Sequence, residues 1–230
     1  MPAWNSDEEL FDLCRRELFT AVVGDVMDKM GLLRQFLPPR IRPLRDDFFL
    51  IGRAMPVLEA DTFADSADHA GNPVLARPFG LMLAALDDLK PGEVYICTGA
   101  SPRYALWGEL MTTRARLLGA AGAVLDGYLR DMTGILDQNF PAFAYGSYAQ
   151  DQGPRGKVID FRSPIEIEGV RIAPGDIVLG DRDGVLIIPR EAEAEAITLA
   201  LEKERGENQV REAIEGGMSA SDAFAKFGIM

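Results

Sequence analysis

The sequence predicts a mixed α/β domain, and three features of the chain support this. Residues 93 to 126 run from a short apolar strand through a helix to a second apolar strand, a crossover unit that favours parallel pairing. Residues 165 to 189 instead alternate apolar and polar positions around Glu168-Gly169 and Asp183-Gly184, which are hairpin signals. A helix rich in Ala, Glu, Lys and Arg follows, from about residue 190 to 215. Parallel and antiparallel strands with flanking helices indicate the mixed class.

The order of the remaining elements follows from local patterns. Ser6, with Glu9 three residues later, forms a capping-box pattern that begins a helix through Leu18. A second helix over residues 20–30 ends at Gly31, a residue that favours helix termination. Apolar runs and turn residues then predict a strand at 48–58, a loop at 65–73, a helix at 79–89, a strand at 93–97, a helix at 104–118 and a strand ending at Asp126.

No shift in composition marks a linker, so the sequence predicts a single domain over residues 1–230. We expect a helical N-terminal segment at about 6–31, a core at about 48–189 and a C-terminal helix at about 190–215. The 230 residues, 47% of them hydrophobic, are enough for one sizeable core. The two cysteines, Cys14 and Cys97, lack the spacing of a disulfide framework or a metal motif and are expected to be reduced and buried.

The charge balance argues against two classes of partner. A net charge of −12 disfavours a nucleic-acid binder, because phosphate neutralisation needs clustered Lys and Arg. No apolar run reaches the roughly 20 residues that a membrane span requires. The acidic N-terminus does not resemble a secretory signal, so we expect a cytoplasmic protein. A small anionic substrate remains compatible with this charge, because one or two local Arg residues suffice to hold a carboxylate.

Several common catalytic arrangements are missing from the sequence. His69 is the only histidine, which excludes multi-histidine zinc sites, and no nucleophile motif accompanies it. No glycine-rich nucleotide-binding pattern follows a strand, so nucleotide cofactors are unsupported, including the cofactor of a quinone-biosynthesis methyltransferase. The lysines fall in helices, turns or polar loops rather than in buried strands, which disfavours Schiff-base chemistry. Carboxylates and arginines remain as candidates.

Arg130 and Asp131 lie just past the carboxyl end of the strand that precedes Asp126. In open α/β sheets this is where ligands bind, and one well-placed Asp with several waters satisfies Mg²⁺ or Mn²⁺. An adjacent Arg would add a carboxylate clamp, which together with the metal suits a 2-oxo acid. The alternative is that the pair is solvated and that Asp131 caps the next helix. Local sequence leaves both interpretations open.

Glu109 lies near the start of the predicted helix at 104–118. The unpaired amides of a first helical turn bind anions, but a Glu in that turn is also favoured by the helix dipole alone. Asp126 is interpreted as a turn former rather than as a second ligand, and Asp181 and Asp183 as residues that shape a hairpin.

A set of motifs resembles the family of 4-hydroxy-4-methyl-2-oxoglutarate aldolases and regulators of ribonuclease activity A. The resemblance covers most of residues 18 to 215, including Thr20, Asp25 and Gly31 in the N-terminal segment. The motifs are Ala105-Leu-Trp-Gly-Glu109, Gly119-Ala-Ala-Gly-Ala-Val-Leu-Asp-Gly-Tyr-Leu-Arg-Asp131, Phe140-Pro-Ala-Phe143, Pro174-Gly-Asp-Ile-Val178 and Asp181-Arg-Asp-Gly-Val-Leu-Ile-Ile-Pro189.

The resemblance implies a fold, an assembly and a set of residue roles. The fold would be a three-layer β/β/α domain resembling swivelling phosphohistidine domains, assembled as a homotrimer or homohexamer with sites between subunits. Asp131 would bind the divalent metal, Mg²⁺ or Mn²⁺. Arg130 would bind the carboxylate and carbonyl end of pyruvate, and the amides of Gly108, Glu109, Leu110 and Met111 would receive the carboxylate.

Two further roles concern glutamates. Twenty residues separate Glu109 from Arg130, which is the spacing found in the family. The resemblance implies that Glu109 would hold water bound to the metal. The family often has Asp at this position, so the longer Glu109 side chain is a departure. Glu207 aligns with a carboxylate that a neighbouring subunit contributes to that water shell. The alternative is an exposed Glu207 that pairs with Arg211 along one helix.

The activity implied by the resemblance is that of a metal-dependent, class II pyruvate aldolase or lyase. It would cleave a 4-hydroxy-2-oxo acid such as 4-hydroxy-4-methyl-2-oxoglutarate, and decarboxylation of oxaloacetate would pass through the same pyruvate enolate. The alternative is a non-catalytic regulator that binds a ribonuclease or another protein. Such relatives tend to lack the complete acidic and Arg-Asp arrangement, which this chain retains. Substrate contacts beyond pyruvate are expected in the loops at 61–78 or 145–157.

Overall fold

The computed structural model describes residues 4–62 and 71–228, and these form two compact units. The first, called here the helical unit, comprises residues 4–33 and 191–228, and the second, the sheet unit, comprises residues 34–190. The single domain expected over residues 1–230 stays a prediction, because compactness alone does not make a unit an independent domain. Most of the loop predicted at 65–73, with His69, lies outside the described residues.

Most of the sheet unit is organised around an eight-stranded sheet. Its strand order is β1-β5-β4-β3-β2-β9-β10, with β6 paired to one part of the long strand β2. The strands β2, β3, β4 and β5 are parallel to their neighbours in this set, whereas β6 and the β9–β10 hairpin pair in antiparallel fashion. The bounds are β1 Arg42–Pro43, β2 Leu50–Asp61, β3 Glu93–Thr98, β4 Gly122–Leu125, β5 Ala142–Ala144, β6 Gly156–Phe161, β9 Ile177–Asp181 and β10 Gly184–Ile188.

The two faces of the large sheet carry different layers. One face packs against three helices, α3 Met82–Asp87, α4 Glu109–Leu117 and α5 Met132–Asp137. The other face packs against a two-stranded hairpin, β7 Ile165–Ile167 and β8 Val170–Ile172. Alternation along the strands explains the separation, because Tyr95 and Cys97 face the helices whereas Val94 and Ile96 face the hairpin. The three-layer β/β/α arrangement is therefore confirmed.

The helical unit consists of four helices, of which three contact the fourth and longest. They are α1 Asp7–Glu17, α2 Thr20–Lys29, α6 Glu193–Glu215 and α7 Ala220–Phe227. Ser6 caps α1 by accepting a hydrogen bond from the Glu9 amide at 3.2 Å, which confirms the predicted helix start. Helix α7 was not predicted, although Ser219 caps it in the same way. Among residues 4–62 and 71–228, no helix combines the length and apolar character that a membrane span requires.

The strand-helix-strand unit formed by β3, α4 and β4 confirms the parallel crossover, but its helix is shorter than predicted. The sequence predicted a helix over 104–118, and α4 begins only at Glu109. The preceding residues are extended because their backbone pairs with a distant segment. Leu106 donates to the Tyr128 carbonyl at 2.8 Å, and Arg130 donates to the Trp107 carbonyl at 2.9 Å. This pairing was not visible in local sequence, and neither was strand β6.

Candidate active site

The first turn of α4 provides one wall of the site. Gly108 is the N-cap residue, with an extended backbone, and the first α-helical hydrogen bond runs from Thr112 N to Gly108 O at 3.0 Å. The amides of Glu109, Leu110 and Met111 therefore have no acceptor one turn earlier in the helix. One of the three is used within the site, because Glu109 N donates to Asp131 Oδ2 at 3.3 Å.

Asp131 lies where α5 begins, and its side chain does not cap that helix. Its backbone is left-handed, with φ 58° and ψ 39°, a conformation that Asp adopts more readily than most residues. The carboxylate makes no capping hydrogen bond in α5 and instead contacts the start of α4 through Oδ2. The simple capping interpretation therefore fails, because the side chain is directed at the neighbouring helix.

Two glycines leave room for the two carboxylates of the site. A Cβ atom on Gly108 would lie 2.7 Å from Asp131 Oδ2, closer than van der Waals contact allows. A Cβ atom on Gly134, in α5, would lie 2.3 Å from Glu109 Cδ and 2.5 Å from its Oε2. The longer Glu109 side chain thus occupies space that only glycine provides at position 134. Gly134 was missed by the sequence analysis, because its contact with Glu109 joins residues that are distant in the chain.

Arg130 lies between two carboxylates. Its Nη1 atom is 2.9 Å from Asp151 Oδ1, and its Nε atom is 3.8 Å from Asp131 Oδ2. The side chain is 39% exposed, so the guanidinium remains open to a ligand from solvent. Asp151 is also held by the Gly153 amide, which donates to its Oδ2 at 2.9 Å. No sequence pattern marks Asp151 itself, because it lies in an irregular loop twenty residues after Asp131.

These groups open onto a cavity of about 460 Å³ in the sheet unit. The predicted residues Gly108, Leu110, Met111, Arg130 and Asp131 all line it. Glu109 does not, because its carboxylate lies against Gly134, although its amide contacts Asp131. The remaining lining residues are Phe79, Met82, Leu83, Leu86, Asp87, Ala105, Leu106, Trp107, Arg114, Asp151 and Gln152. Two of them come from the predicted substrate loop at 145–157, whereas substrate contact itself stays a prediction.

The back of the cavity is rigid because Trp107 is fixed on two sides. Its indole N–H donates to Thr112 Oγ1 at 2.7 Å, and both residues are buried. The Trp107 ring also stacks on Phe140, with centroids 6.0 Å apart and planes inclined by 7°. A buried donor with a good acceptor and a stacked ring leaves the side chain little freedom. This fixes the position of Gly108, the next residue in the chain.

The remaining predicted residues lie elsewhere. Glu207 belongs to the helical unit and pairs with Lys203 at 2.8 Å rather than with Arg211, whose Nη1 bonds to Asn208. Its role toward a neighbouring subunit stays a prediction. Asp126 accepts from Thr98 Oγ1 at 2.6 Å and does not line the cavity. The Asp183 amide donates to Asp181 Oδ1 at 2.9 Å, so this pair shapes the β9–β10 turn as expected.

A second polar cluster, at the carboxyl end of β2, was missed by the sequence analysis. Glu59 is 2% exposed, and its Oε1 atom has no hydrogen-bond partner among the described residues. Burial is the largest influence on this carboxyl and raises its pKa from 4.5 to about 8. The Tyr104 hydroxyl lies beside it and donates to Asp61 Oδ1 at 3.0 Å. Cys97 is also buried here, and both cysteines are free and buried as expected.

Comparisons with known proteins agree with this fold. The model of the RraA-like family, described as Aldolase/RraA, matches residues 20–187. A Halalkalibacterium halodurans protein provisionally named 4-hydroxy-4-methyl-2-oxoglutarate aldolase is 30% identical over 211 residues, which is 91% of this chain and 90% of that protein.

Two solved structures are similar over nearly the whole chain. An uncharacterized protein from Pseudomonas syringae pv. tomato has a TM-score of 0.82 at 25% identity, covering 99% of this chain and 98% of that one. RraAS2 from Streptomyces coelicolor, an unusual member of the RNase ES inhibitor RraA family, has a TM-score of 0.75 at 22% identity. That alignment covers 91% of this chain and 99% of RraAS2, and it shows the shared fold. The chain belongs to the RraA-like family, which includes proteins named as aldolases and proteins named as ribonuclease inhibitors.

Proposed function

We propose that this protein is a divalent-metal-dependent carbon–carbon lyase that releases pyruvate from a 4-hydroxy-2-oxo acid. One observation carries the proposal: Arg130, Asp131 and the amide end of α4 converge on one cavity, although Glu109 and Arg130 are distant in sequence. A cation, a carboxylate and unpaired amides are the groups required to bind a 2-oxo acid and stabilise developing negative charge.

The residues present fit a hard divalent cation with few protein ligands. Asp131 offers a carboxylate that is 46% exposed and that faces a cavity rather than its own helix. Residues 4–62 and 71–228 contain no cluster of three or more His, Cys, Asp or Glu suited to caging an ion. Mg²⁺ and Mn²⁺ tolerate such a site, because they accept one or two carboxylates and retain waters. Asp131 would hold the metal, which when bound polarises the 2-oxo group of the substrate.

The chain's own residues would divide the other tasks. The Arg130 guanidinium would bind the substrate carboxylate, with the amides of Leu110 and Met111 as further donors. Glu109 would hold the water that takes the proton from the C4 hydroxyl. The C3–C4 bond then breaks, C4 becomes a carbonyl carbon, and its bonding electrons pass to C3 of a pyruvate enolate that is protonated to pyruvate. The same enolate would result from decarboxylation of oxaloacetate.

The test is release of pyruvate from a 4-hydroxy-2-oxo acid by purified protein with Mg²⁺ or Mn²⁺, compared with a chelated control. Asp131→Ala should abolish metal-dependent turnover, whereas Arg130→Ala should raise KM by about tenfold or more, because charge-assisted hydrogen bonds contribute ~1.5–3 kcal/mol. Asp137→Ala is the matched control, since it removes an exposed carboxylate from the far end of α5. Unchanged kinetics in both site variants would refute the proposed site.

A regulator of a ribonuclease is the competing function in this family. The convergence of Arg130, Asp131 and the amide end of α4 on one cavity favours the lyase, because a surface inhibitor has no need for such a site. A stoichiometric ribonuclease complex, with no lyase activity on a panel of oxo acids, would reverse this order.

We also propose a homotrimer or homohexamer in the cytoplasm, with Glu207 completing a neighbour's site. Sedimentation of the protein and kinetics of Glu207→Gln would test that assembly.

A further inference from the structure

The cavity extends well beyond the groups that would bind pyruvate. Its volume of about 460 Å³ lies within the range of roughly 300–1,000 Å³ typical of pockets for much larger ligands than a three-carbon acid. Away from Arg130 most of the wall is apolar, formed by α3, by the start of α4 and by Phe79, three residues before α3. The side chains there are Phe79, Met82, Leu83, Leu86, Leu110 and Met111.

Two of these leucines are unusually exposed at the cavity mouth. Leu110 is 83% exposed and Leu83 is 57% exposed, although both line the cavity. Leu110 follows Glu109 directly, so apolar surface begins within one residue of the proposed chemistry. A ligand group that covered these side chains would remove apolar area from water, which is favourable in proportion to the area buried.

Among the described residues that line the cavity, no cationic side chain remains free to bind a second carboxylate of the substrate. It contains two arginines, and Arg130 is assigned to the pyruvate end of the substrate. The other, Arg114, is 2.7 Å from Asp87 Oδ1 through its Nε atom, and Asp87 itself lines the cavity. A distal carboxylate would therefore meet an arginine that already pairs with Asp87, the like-charged Asp87 carboxylate and apolar walls. Desolvating a carboxylate without a partner is costly.

We infer that the substrate carries an apolar substituent on the C4 side rather than a second carboxylate. This inference rests on the proposed lyase function and specifies its substrate class: 4-hydroxy-2-oxo monoacids with an alkyl or aryl group beyond C4. Arg130 and Asp131 would hold the 2-oxo acid end, and the substituent would lie against Phe79, Leu83 and Leu110. The Asp87–Arg114 pair would disfavour dicarboxylates such as 4-hydroxy-4-methyl-2-oxoglutarate.

The first test is a homologous substrate series assayed for pyruvate release with Mg²⁺ or Mn²⁺. Each added methylene should raise kcat/KM by about fourfold until the cavity is filled, because a buried methylene contributes ~0.8 kcal/mol. The dicarboxylate of similar size should be the poorer substrate. Leu110→Ala should flatten the dependence on chain length, whereas Leu117→Ala, which truncates an exposed leucine further along α4 and outside the cavity, should leave it unchanged.

The second test removes the ion-pair partner of Arg114. Asp87→Ala removes the partner of Arg114, so the ratio of dicarboxylate to monoacid kcat/KM should rise by about tenfold, the gain expected from a new charge-assisted hydrogen bond. Glu166→Ala, which makes the same change in net charge on the exposed side of the β7–β8 hairpin, should leave the ratio unchanged. Both residues are exposed, so neither variant should fail to fold.

The outcomes separate this inference from the proposed function. Suppose that pyruvate is released, that the dicarboxylate is the better substrate and that kcat/KM does not depend on chain length. The apolar assignment would then be wrong, whereas the lyase function would stand. An unchanged substrate ratio in Asp87→Ala would overturn the role of the Asp87–Arg114 pair. No metal-dependent pyruvate release from any member of the series would overturn both proposals.

Discussion

The buried Glu59 carboxyl gives a quantitative prediction about stability that does not depend on the proposed reaction. Its pKa is raised to about 8 in the folded protein, chiefly by burial, against an ordinary value of 4.5. The folded protein therefore retains a proton that the unfolded chain releases as pH rises above about 4.5. A raised acid pKa means that stability falls between these two values, and the loss ends once pH exceeds the folded pKa.

The predicted perturbation is Glu59→Gln, which keeps the shape of the side chain and removes its titration. Each pH unit within the window costs the wild type ~1.36 kcal/mol relative to the variant. From about pH 5 to about pH 7.5, the free energy of unfolding of the variant should therefore rise by ~3 kcal/mol relative to that of the wild type. At ~2–4 °C per kcal/mol for a chain of this size, the difference in melting temperature should change by roughly 6–12 °C.

Thermal and urea unfolding of both proteins across this pH range is the assay. Glu166→Gln, an exposed carboxylate on β7, serves as the control and should show no pH-dependent difference from the wild type. Parallel stability profiles for Glu59→Gln and the wild type would refute the reasoning, because they would mean that Glu59 ionises in the folded protein near its ordinary pKa.

Three further substitutions test the geometry of the site. Gly108→Ala should weaken binding of Mn²⁺, measured by calorimetry, by about tenfold, because the new Cβ displaces Asp131 Oδ2 by steric contact. Gly134→Ala should lower kcat, because the new Cβ displaces Glu109. The cost in stability should be small, because alanine improves helix propensity by ~1 kcal/mol over glycine. Adding Glu109→Asp should restore part of the activity. Thr112→Val should cost ~1–3 kcal/mol in chemical unfolding, because it leaves a buried indole N–H unpaired.

Each of these expectations has a clear contrary result. Unchanged Mn²⁺ affinity in Gly108→Ala would show that Asp131 Oδ2 is not a metal ligand. Full activity in Gly134→Ala would show that the position of Glu109 does not matter for turnover. A Thr112→Val variant as stable as the wild type would mean that the Trp107 indole finds another acceptor.

Much of the fold was predictable because its signals are local. The capping pattern at Ser6 and the turn residues Glu168-Gly169 set element boundaries through interactions within a few residues. The helix at 104–118 was placed too early for a non-local reason, since residues 105–107 pair with the segment around Tyr128. Strand β6 was missed for the same reason, because its stability depends on pairing with β2.

The sequence by itself determined which side chains remained as candidates for chemistry in this protein. One histidine and no glycine-rich cofactor loop left carboxylates and arginines, and the adjacency of Arg130 and Asp131 marked the place where they would act. These conclusions required no knowledge of distant contacts, because residue type and short-range spacing carry them.

Only the tertiary structure decided how these groups are arranged. Sheet register and helix packing bring Glu109 against Gly134, Arg130 against Asp151, and Arg114 against Asp87. The partners in each pair are more than twenty residues apart, so no local pattern specifies them. Burial of Glu59 is likewise a property of the packed layers rather than of its neighbours in the chain. Close packing permits only certain side chains at such contacts, and the contacts set where the charged groups of the site lie.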